Sequence, residues 1–157
     1  MMNAEINPDD EVRRVFQNRV PAVASGAVEL VSISRDPGKE VWVAVRSHDP
    51  SVDAVSACVG KGGIRPKSIV RDLGGDHLSI ILWNPSLESF ILNALSGLHT
   101  PGSPPRVGRP KVVLDEAART AAVSIDPNSL ACSSEQLASY LRLASKLVGC
   151  EIRLVHE

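Results

Sequence analysis

A glycine-rich loop between two predicted helices has the clearest chemical potential in this sequence. Three of the four residues in Gly60-Lys61-Gly62-Gly63 have no Cβ atom, so the backbone can turn tightly and approach a ligand closely. The first N–H groups of the following helix have no intrahelical acceptor, and the positive end of the helix dipole lies at the same place. Such a loop is suited to binding a phosphate group.

Basic side chains accompany this loop on a chain that is otherwise close to neutral. Lys61 lies in the loop, Arg65 falls in the first turn of the next helix, and Lys67 and Arg71 are four residues apart on its predicted exposed side. The formal net charge of -1 and the pI near 6.4 provide no overall attraction for nucleic acid. Any such binding must therefore depend on this local group of cations.

Other chemistries have weak support in the sequence. The four histidines lie in different segments, and His48 could act with Asp53 as a base only if the fold happened to bring them together. The three cysteines are odd in number and show no CxxC spacing, so no disulfide framework or zinc site is predicted. We expect neither an enzyme nor a bound cofactor or metal.

The elements that hold the glycine loop form the first of two repeats. Val28–Ser47 is predicted to be a β-hairpin, residues 52–59 a short helix, and residues 78–83 a strand. The helix after the loop has apolar residues at i, i+3, i+4 and i+7 and ends at Gly74-Gly75. This buried stripe consists of Pro66, Ile69, Val70 and Leu73.

The same order of elements returns after a Pro/Gly-rich connector at residues 99–110. An ungapped offset of 75 residues aligns Gly74 with Gly149, Lys67 with Arg142 and Arg71 with Lys146. The second repeat is predicted to have strands at 111–114 and 120–125, a short helix after Asp126-Pro127, a helix at 137–148 and a strand at 150–155. Leading helices are predicted at residues 9–20 and 86–96.

Each repeat therefore reads αββααβ, and the predicted class is α+β with two three-stranded sheets packed by helices. We assign residues 1–14 to an N-terminal extension, 15–84 to the first domain and 85–157 to the second. No apolar run is long enough to span a bilayer, and the acidic N-terminal segment does not have the pattern of a signal peptide, so a cytoplasmic protein is expected.

These motifs resemble, in order, the tandem type II KH domains of the bacterial transcription elongation and termination factor NusA. The resemblance covers about residues 15–155 and includes FQNRVPAVASG at 16–26, the hairpin sequence VELVSISRDPG from residue 28, and SLACSSEQLASYLRLASKLVGCEIRL from residue 129. It implies two KH folds that pack together and bind single-stranded RNA. KH domains clamp about four nucleotides at a GxxG loop between two helices.

Two features depart from that family. Its N-terminal polymerase-binding domain and S1 domain have no counterpart in the short segment before the match. In the second repeat, Glu135-Gln136-Leu137-Ala138 stands where the family has a second GxxG, and Ser133 to Gln136 has the form of a capping box that would satisfy the first N–H groups of its own helix. We therefore expect only weak RNA-backbone contacts there, from Arg142 and Lys146.

The expected function is single-stranded RNA binding in transcription elongation, termination or antitermination. The predicted RNA-binding residues surround the glycine loop: Gly60, Lys61, Gly62, Gly63, Ile64, Arg65, Lys67 and Arg71. Expected partners are single-stranded RNA and RNA polymerase or other transcription factors. Two alternatives remain open: a protein-binding adaptor with a decayed KH surface, since few aromatic residues are present for base stacking, and an RNA-binding factor in ribosome or RNA maturation.

Overall fold

The computed structural model describes residues 8–36, 39–60, 64–96, 111–124 and 134–155. Alternating and continuous apolar runs form six strands in these ranges, and stripes of helical period form six helices. The helices are α1 (Pro8–Arg19), α2 (Pro21–Ser25), α3 (Ala54–Val59), α4 (Ile64–Asp72), α5 (Leu87–Ser96) and α6 (Ser134–Val148). The strands are β1 (Val28–Asp36), β2 (Glu40–Ser47), β3 (His77–Leu82), β4 (Lys111–Asp115), β5 (Thr120–Ser124) and β6 (Glu151–Val155).

The first unit, α1 to β3, contains a three-stranded sheet in the order β1-β2-β3. The hairpin strands β1 and β2 are antiparallel, whereas β3 returns through α3 and α4 to lie parallel to β2. Helices α1, α3 and α4 cover one face of this sheet with a common apolar core. That core includes Phe16, Val43, Cys58, Ile69 and Ile80, each at most 2% exposed.

The second unit, α5 to β6, repeats this sheet in the order β4-β5-β6, with β4 antiparallel and β6 parallel to the central strand β5. Its inner face packs on α5 and α6 through Ala121, Val123 and Ile152. Gly74 and Gly149, which the repeat aligns, both have positive φ, at 82° and 73°. Gly74 lies two residues after the end of α4, and Gly149 directly follows α6. The two units therefore share local geometry as well as topology.

Helices α5 and α6 also cover the other face of the first sheet, so they lie between the two sheets. This explains why all five residues from Val41 to Val45 are fully buried instead of alternating. Trp42 faces α6, where its ring lies 5.8 Å from the ring of Tyr140. Across the same boundary, the Ser32 hydroxyl donates a 2.7 Å hydrogen bond to the carbonyl oxygen of Leu147 near the end of α6.

The predicted α+β class with two three-stranded sheets is confirmed, and the predicted strands and leading helices agree with the observed elements within a few residues. Helix α2 was not predicted. The connector at 99–110 and the predicted short helix after Pro127 lie outside the described residues. None of the helices that the structure describes is both long and apolar enough to cross a lipid bilayer.

Candidate nucleic-acid interface

The glycine loop is framed by two well-defined helix ends. Asp53 caps α3 by accepting a 2.9 Å hydrogen bond from the Ser56 N–H, and the helix ends at Gly60, whose N–H donates to the Ser56 carbonyl at 2.9 Å. Gly60 has φ of 70° and ψ of -177°, a conformation that a residue with a Cβ rarely adopts. Helix α4 begins at Ile64, so only three residues join the two helices.

Those three joining residues, Lys61, Gly62 and Gly63, lie outside the described part of the chain, as do the side chains of Ile64, Arg65 and Pro66. Their predicted roles in ligand binding therefore stay predictions. On either side of them, a glycine with positive φ ends α3, and α4 begins four residues later. The half-buried Val59 packs against the first core, in agreement with a packing role.

Helix α4 has an apolar face and a cationic face. Ile69 and Leu73 are buried against the first sheet at 0% and 2% exposure, as the predicted stripe requires. Lys67 and Arg71 are exposed, and no ion pair engages either of them within the described ranges. We call this exposed pair the α4 cationic ridge, and its charges are available to an anionic ligand.

The C-terminal end of α4 is anchored at several points that the sequence did not indicate. Gly75 donates its N–H to the Val70 carbonyl at 2.8 Å, which closes the helix with a left-handed glycine turn. Arg19 in α1 donates two hydrogen bonds to the carboxylate of Asp72, at 2.7 and 3.2 Å. The hydrogen bond from Arg19 lowers the pKa of Asp72, and the same contact raises the pKa of Arg19.

A second anchor lies at the turn from α4 into β3. The half-buried Arg35 of β1 donates to the carboxylate of Asp76 at 3.2 Å, to the Leu73 carbonyl at 3.3 Å and to the carboxylate of Glu11 at 3.2 Å. Asp76 is only 6% exposed, so its negative charge needs this partner. Together these contacts connect α1, α4 and the first sheet, and they hold the α4 cationic ridge in a fixed position.

The second unit places Arg142 and Lys146 on the exposed face of α6, one turn apart. They border an open groove of about 590 Å³ between α6 and β6. In this groove the Ser145 hydroxyl donates to the Leu141 carbonyl at 2.7 Å and accepts from the Ile152 N–H at 3.1 Å. Burial raises the pKa of the Cys150 thiol in its wall. The predicted capping box, Ser133 to Gln136, comes before this part of the helix. Its side chains lie outside the described part of the chain.

The histidines within the described ranges occupy separate surface positions. His48 contacts Glu29 at 2.7 Å, and His77 lies 3.6 Å from Glu40. The carboxylate of Asp53 is used to cap α3, so a pairing of His48 with Asp53 has no support in the hydrogen bonds. Among the described residues, no group of three or more histidine, cysteine or acidic side chains is placed so that it could hold a metal ion.

Comparison with known proteins identifies the family. Residues 7–83 match the model of the NusA-like first KH domain. The transcription termination/antitermination protein NusA of Thermus thermophilus is 38% identical over 90% of this chain, and its Bacillus subtilis counterpart is 33% identical over 93%. The corresponding protein of Rickettsia conorii is 32% identical over 92% of the chain.

These matches cover 34%, 37% and 27% of the respective relatives, so the chain spans about a third of their length. The crystal structure of APE1850 shares the fold, with a TM-score of 0.56 and 16% identity over 93% of this chain and 95% of that chain. Because both units take part in these alignments, the likeness extends beyond the first domain. The chain therefore contains a NusA-like first KH domain at residues 7–83 and resembles NusA proteins over about nine tenths of its length.

Proposed function

We propose that this chain binds single-stranded RNA and acts in transcription elongation, termination and antitermination. The observation that carries the proposal is the α4 cationic ridge, which directly follows a glycine-terminated helix within a NusA-like first KH domain. A KH fold clamps about four nucleotides at this position. The transcription role follows from the relatives, which are transcription termination/antitermination proteins.

The proposed roles divide between backbone and side chains. Gly60, Gly62 and Gly63 let the RNA backbone approach, and the first N–H groups of α4 bind a phosphate. Lys61, Arg65, Lys67 and Arg71 supply positive charge around that phosphate. Ile64 offers aliphatic surface to a base. In the second unit, Arg142 and Lys146 add weaker contacts to the RNA backbone.

The wider assignments belong to the same proposal. The proposed domain limits are 15–84 and 85–157 after an N-terminal extension at 1–14. Helix α1 begins within that extension, at Pro8, and buries Val12 in the core of the first unit. RNA polymerase or another transcription factor is the proposed protein partner, and the proposed location is the cytoplasm, where bacterial transcription takes place. We assign no catalytic step, cofactor or metal to either unit.

A protein-binding adaptor is the second candidate. The outer face of the second sheet carries Val113, which is 70% exposed, and Val155, which is 42% exposed. Apolar surface of this kind marks a protein-binding site where it forms a contiguous patch. This candidate predicts a folded chain with no measurable affinity for RNA.

Titration with fluorescent RNA tests the proposal. A single strand should bind more tightly than a duplex of the same sequence, since the clamp accepts splayed single-stranded bases. If two to four phosphates are neutralised, the logarithm of the binding constant should fall with the logarithm of salt concentration with a slope of about -1.5 to -3. Equal affinity for duplex and single strand would contradict the clamp.

The double variant Lys61→Asp and Gly62→Asp places two carboxylates where a phosphate is expected and removes one cation. RNA affinity should fall by about tenfold or more. The matched control is Gln136→Asp at the corresponding position of the second unit, which should leave affinity nearly unchanged. Circular dichroism melts establish that both variants fold. A folded double variant with full affinity would refute the glycine-loop site, and a folded parent chain without RNA affinity would favour the adaptor.

A further inference from the structure

Strand β4 lies at an edge of the second sheet. The strand order is β4-β5-β6, so one side of β4 pairs with β5 and the other side pairs with no strand among the described residues. All five residues of β4 pair with β5 without a register shift, so the outer edge is regular. A regular edge strand presents N–H and C=O groups to which a strand of another chain can add.

The backbone groups at this outer edge belong to Val112 and Leu114. Glu151 of β6 donates its N–H to the carbonyl of Arg119, so the odd-numbered residues of β5 bond to β6 and the even-numbered ones bond to β4. Val113 lies opposite an even-numbered residue of β5 and therefore bonds to β5. Because backbone groups alternate in direction along a strand, the N–H and C=O groups of Val112 and Leu114 point away from β5.

The corresponding edge of the first sheet is protected. Strand β1 has a register shift between Leu30 and Ser32, and the Arg13 side chain of α1 donates a 2.9 Å hydrogen bond to the Leu30 carbonyl. Bulges and covering side chains are common devices that keep an edge strand from pairing with another chain. At β4, the described part of the second unit has no register shift and no side chain bonded to the outward backbone groups.

The sequence of β4 is complementary to itself when two copies run antiparallel. Lys111-Val112-Val113-Leu114-Asp115 has opposite charges at its two ends and apolar residues between them. If Val113 lies opposite Val113 of a second copy, each Lys111 lies opposite an Asp115. Each Val112 then lies opposite a Leu114, so the outward backbone groups of these two residues bond to each other.

The side chains that would meet on the outer face have no competing partner. Lys111 and Asp115 are exposed, and neither has an ion pair among the described residues. Val113 is 70% exposed, the highest value among the large hydrophobic residues that the structure describes. Apolar pairs and opposite charges across two strands stabilise antiparallel pairing. A shift of register would place Val113 opposite a charged residue, so the charges select a single register.

We propose that β4 pairs edge to edge with β4 of a second copy of this chain, antiparallel and about a twofold axis at Val113. The two sheets then form one continuous sheet of six strands. The twofold symmetry closes the interface, so assembly ends at the dimer. One short strand contributes little buried area, and the dimer should therefore form only at protein concentrations of about 10 µM to 1 mM. The proposal does not depend on RNA binding.

Sedimentation velocity across about 10 µM to 1 mM tests the proposal. The sedimentation coefficient of the parent chain should rise from the monomer to the dimer value in this range. Val113→Lys places two ammonium groups face to face at the axis and should weaken dimerisation by about tenfold or more. The matched control is Val155→Lys, which adds the same charge to the same sheet face on β6 and should leave dimerisation unchanged.

Two results would overturn the proposal in this experiment. A parent chain that stays monomeric at about 1 mM does not pair through β4, and a strand from a different protein would be the remaining occupant of the edge. Equal weakening by Val113→Lys and Val155→Lys would show that copies meet through the sheet face instead of the edge.

Charge reversal tests the register. Lys111→Asp leaves only acids at the ends of β4, and Asp115→Lys leaves only cations, so each variant alone should stay monomeric. An equal mixture should form a heterodimer, since every carboxylate then faces an ammonium group. The Asp115 side chain also accepts a 3.1 Å hydrogen bond from the Ala118 N–H, so a thermal melt must confirm that Asp115→Lys is folded. A folded mixture that associates no better than the separate variants would refute the antiparallel register.

Amide hydrogen exchange followed by NMR gives a readout that needs no variant. In the monomer the N–H groups of Val112 and Leu114 point to solvent, and in the dimer they are hydrogen-bonded. Their exchange should slow as the protein concentration rises, whereas exchange of Val113, which is bonded to β5 in both states, should change less. Dimerisation without slower exchange at Val112 and Leu114 would place the interface elsewhere and overturn the proposal.

Discussion

At the scale of single residues, the site depends on ion pairs between distant parts of the chain. Arg19 and Asp72 are 53 residues apart, and Arg35 and Asp76 are 41 apart. The sequence indicates Lys67 and Arg71 because helical spacing places them on one exposed face. It does not indicate the anchors, because nothing local in the sequence shows which carboxylate an arginine will meet.

Asp72 gives a prediction with a defined dependence on pH. Its pKa in the folded state is lower than in the unfolded chain because Arg19 donates hydrogen bonds to the carboxylate. The contact therefore stabilises the fold above the unfolded pKa, and this contribution is lost as pH falls through the lower folded pKa. Asp72→Asn should reduce the melting temperature at neutral pH and should make no difference in acid below that pKa.

Melting curves of parent and variant at neutral and strongly acidic pH measure this effect. The decrease should be small because Arg19 and Asp72 are both partly exposed and solvent screens their charges. Glu116→Gln serves as the control, since Glu116 lies in the exposed turn between β4 and β5. A difference between parent and Asp72→Asn that persists unchanged in acid would contradict the assigned cause.

At the scale of elements, periodicity predicted nearly every described helix and strand, because each buries one defined face. Helix α2 was not predicted. The leading helix was expected to end at Val20, and Pro21 begins a new helix at its first position. The apolar pattern at Val41 to Val45 predicted a hairpin strand, but not that this strand is covered on both faces. Their sequence could not reveal that α5 and α6 of the following unit provide the second cover.

The aligned glycines at the ends of α4 and α6 give a prediction about both repeats. A Cβ at Gly74 would contact nothing within 4 Å, and at Gly149 it would lie 3.8 Å from Arg119, so space is available at both positions. The positive φ angles nevertheless disfavour alanine by about 1–2 kcal/mol. Gly74→Ala and Gly149→Ala should each lower the free energy of unfolding by this amount.

Denaturant titration of each variant measures that change. Because the strain is confined to one residue, the slope of unfolding free energy against denaturant should remain that of the parent chain. Ala118→Gly in the exposed turn before β5 offers a comparison in which the glycine is introduced instead of removed. Unchanged stability in both alanine variants would show that the left-handed turns are not required.

At the scale of the whole molecule, α5 and α6 pack against both sheets. Their apolar residues pack with Trp42, Ala44 and Ile81 of the first sheet and with Ala121 and Val123 of the second. The Ser32 to Leu147 hydrogen bond crosses the same boundary. The second unit therefore shields a face of the first that would otherwise expose a tryptophan. Loss of the GxxG sequence in the second unit is compatible with this packing role.

This shared core predicts that both units unfold in one cooperative transition. Phe16 is fully buried in the core between α1 and the first sheet, and it belongs to the cluster that contains no residue of the second unit. Phe16→Ala should destabilise the protein by about 3–5 kcal/mol. If the units are coupled, amide hydrogen exchange should accelerate by the same factor in β2 and in the remote strand β5, because both become exposed through the same global unfolding. Mass spectrometry of peptides from the two strands measures these exchange rates.

Trp42→Ala is the companion variant. The Trp42 side chain packs in the core shared by both units, so its removal should accelerate exchange in both strands whether or not the units unfold together. If Phe16→Ala accelerates exchange in β2 and leaves β5 at the rate of the parent chain, the two units unfold independently.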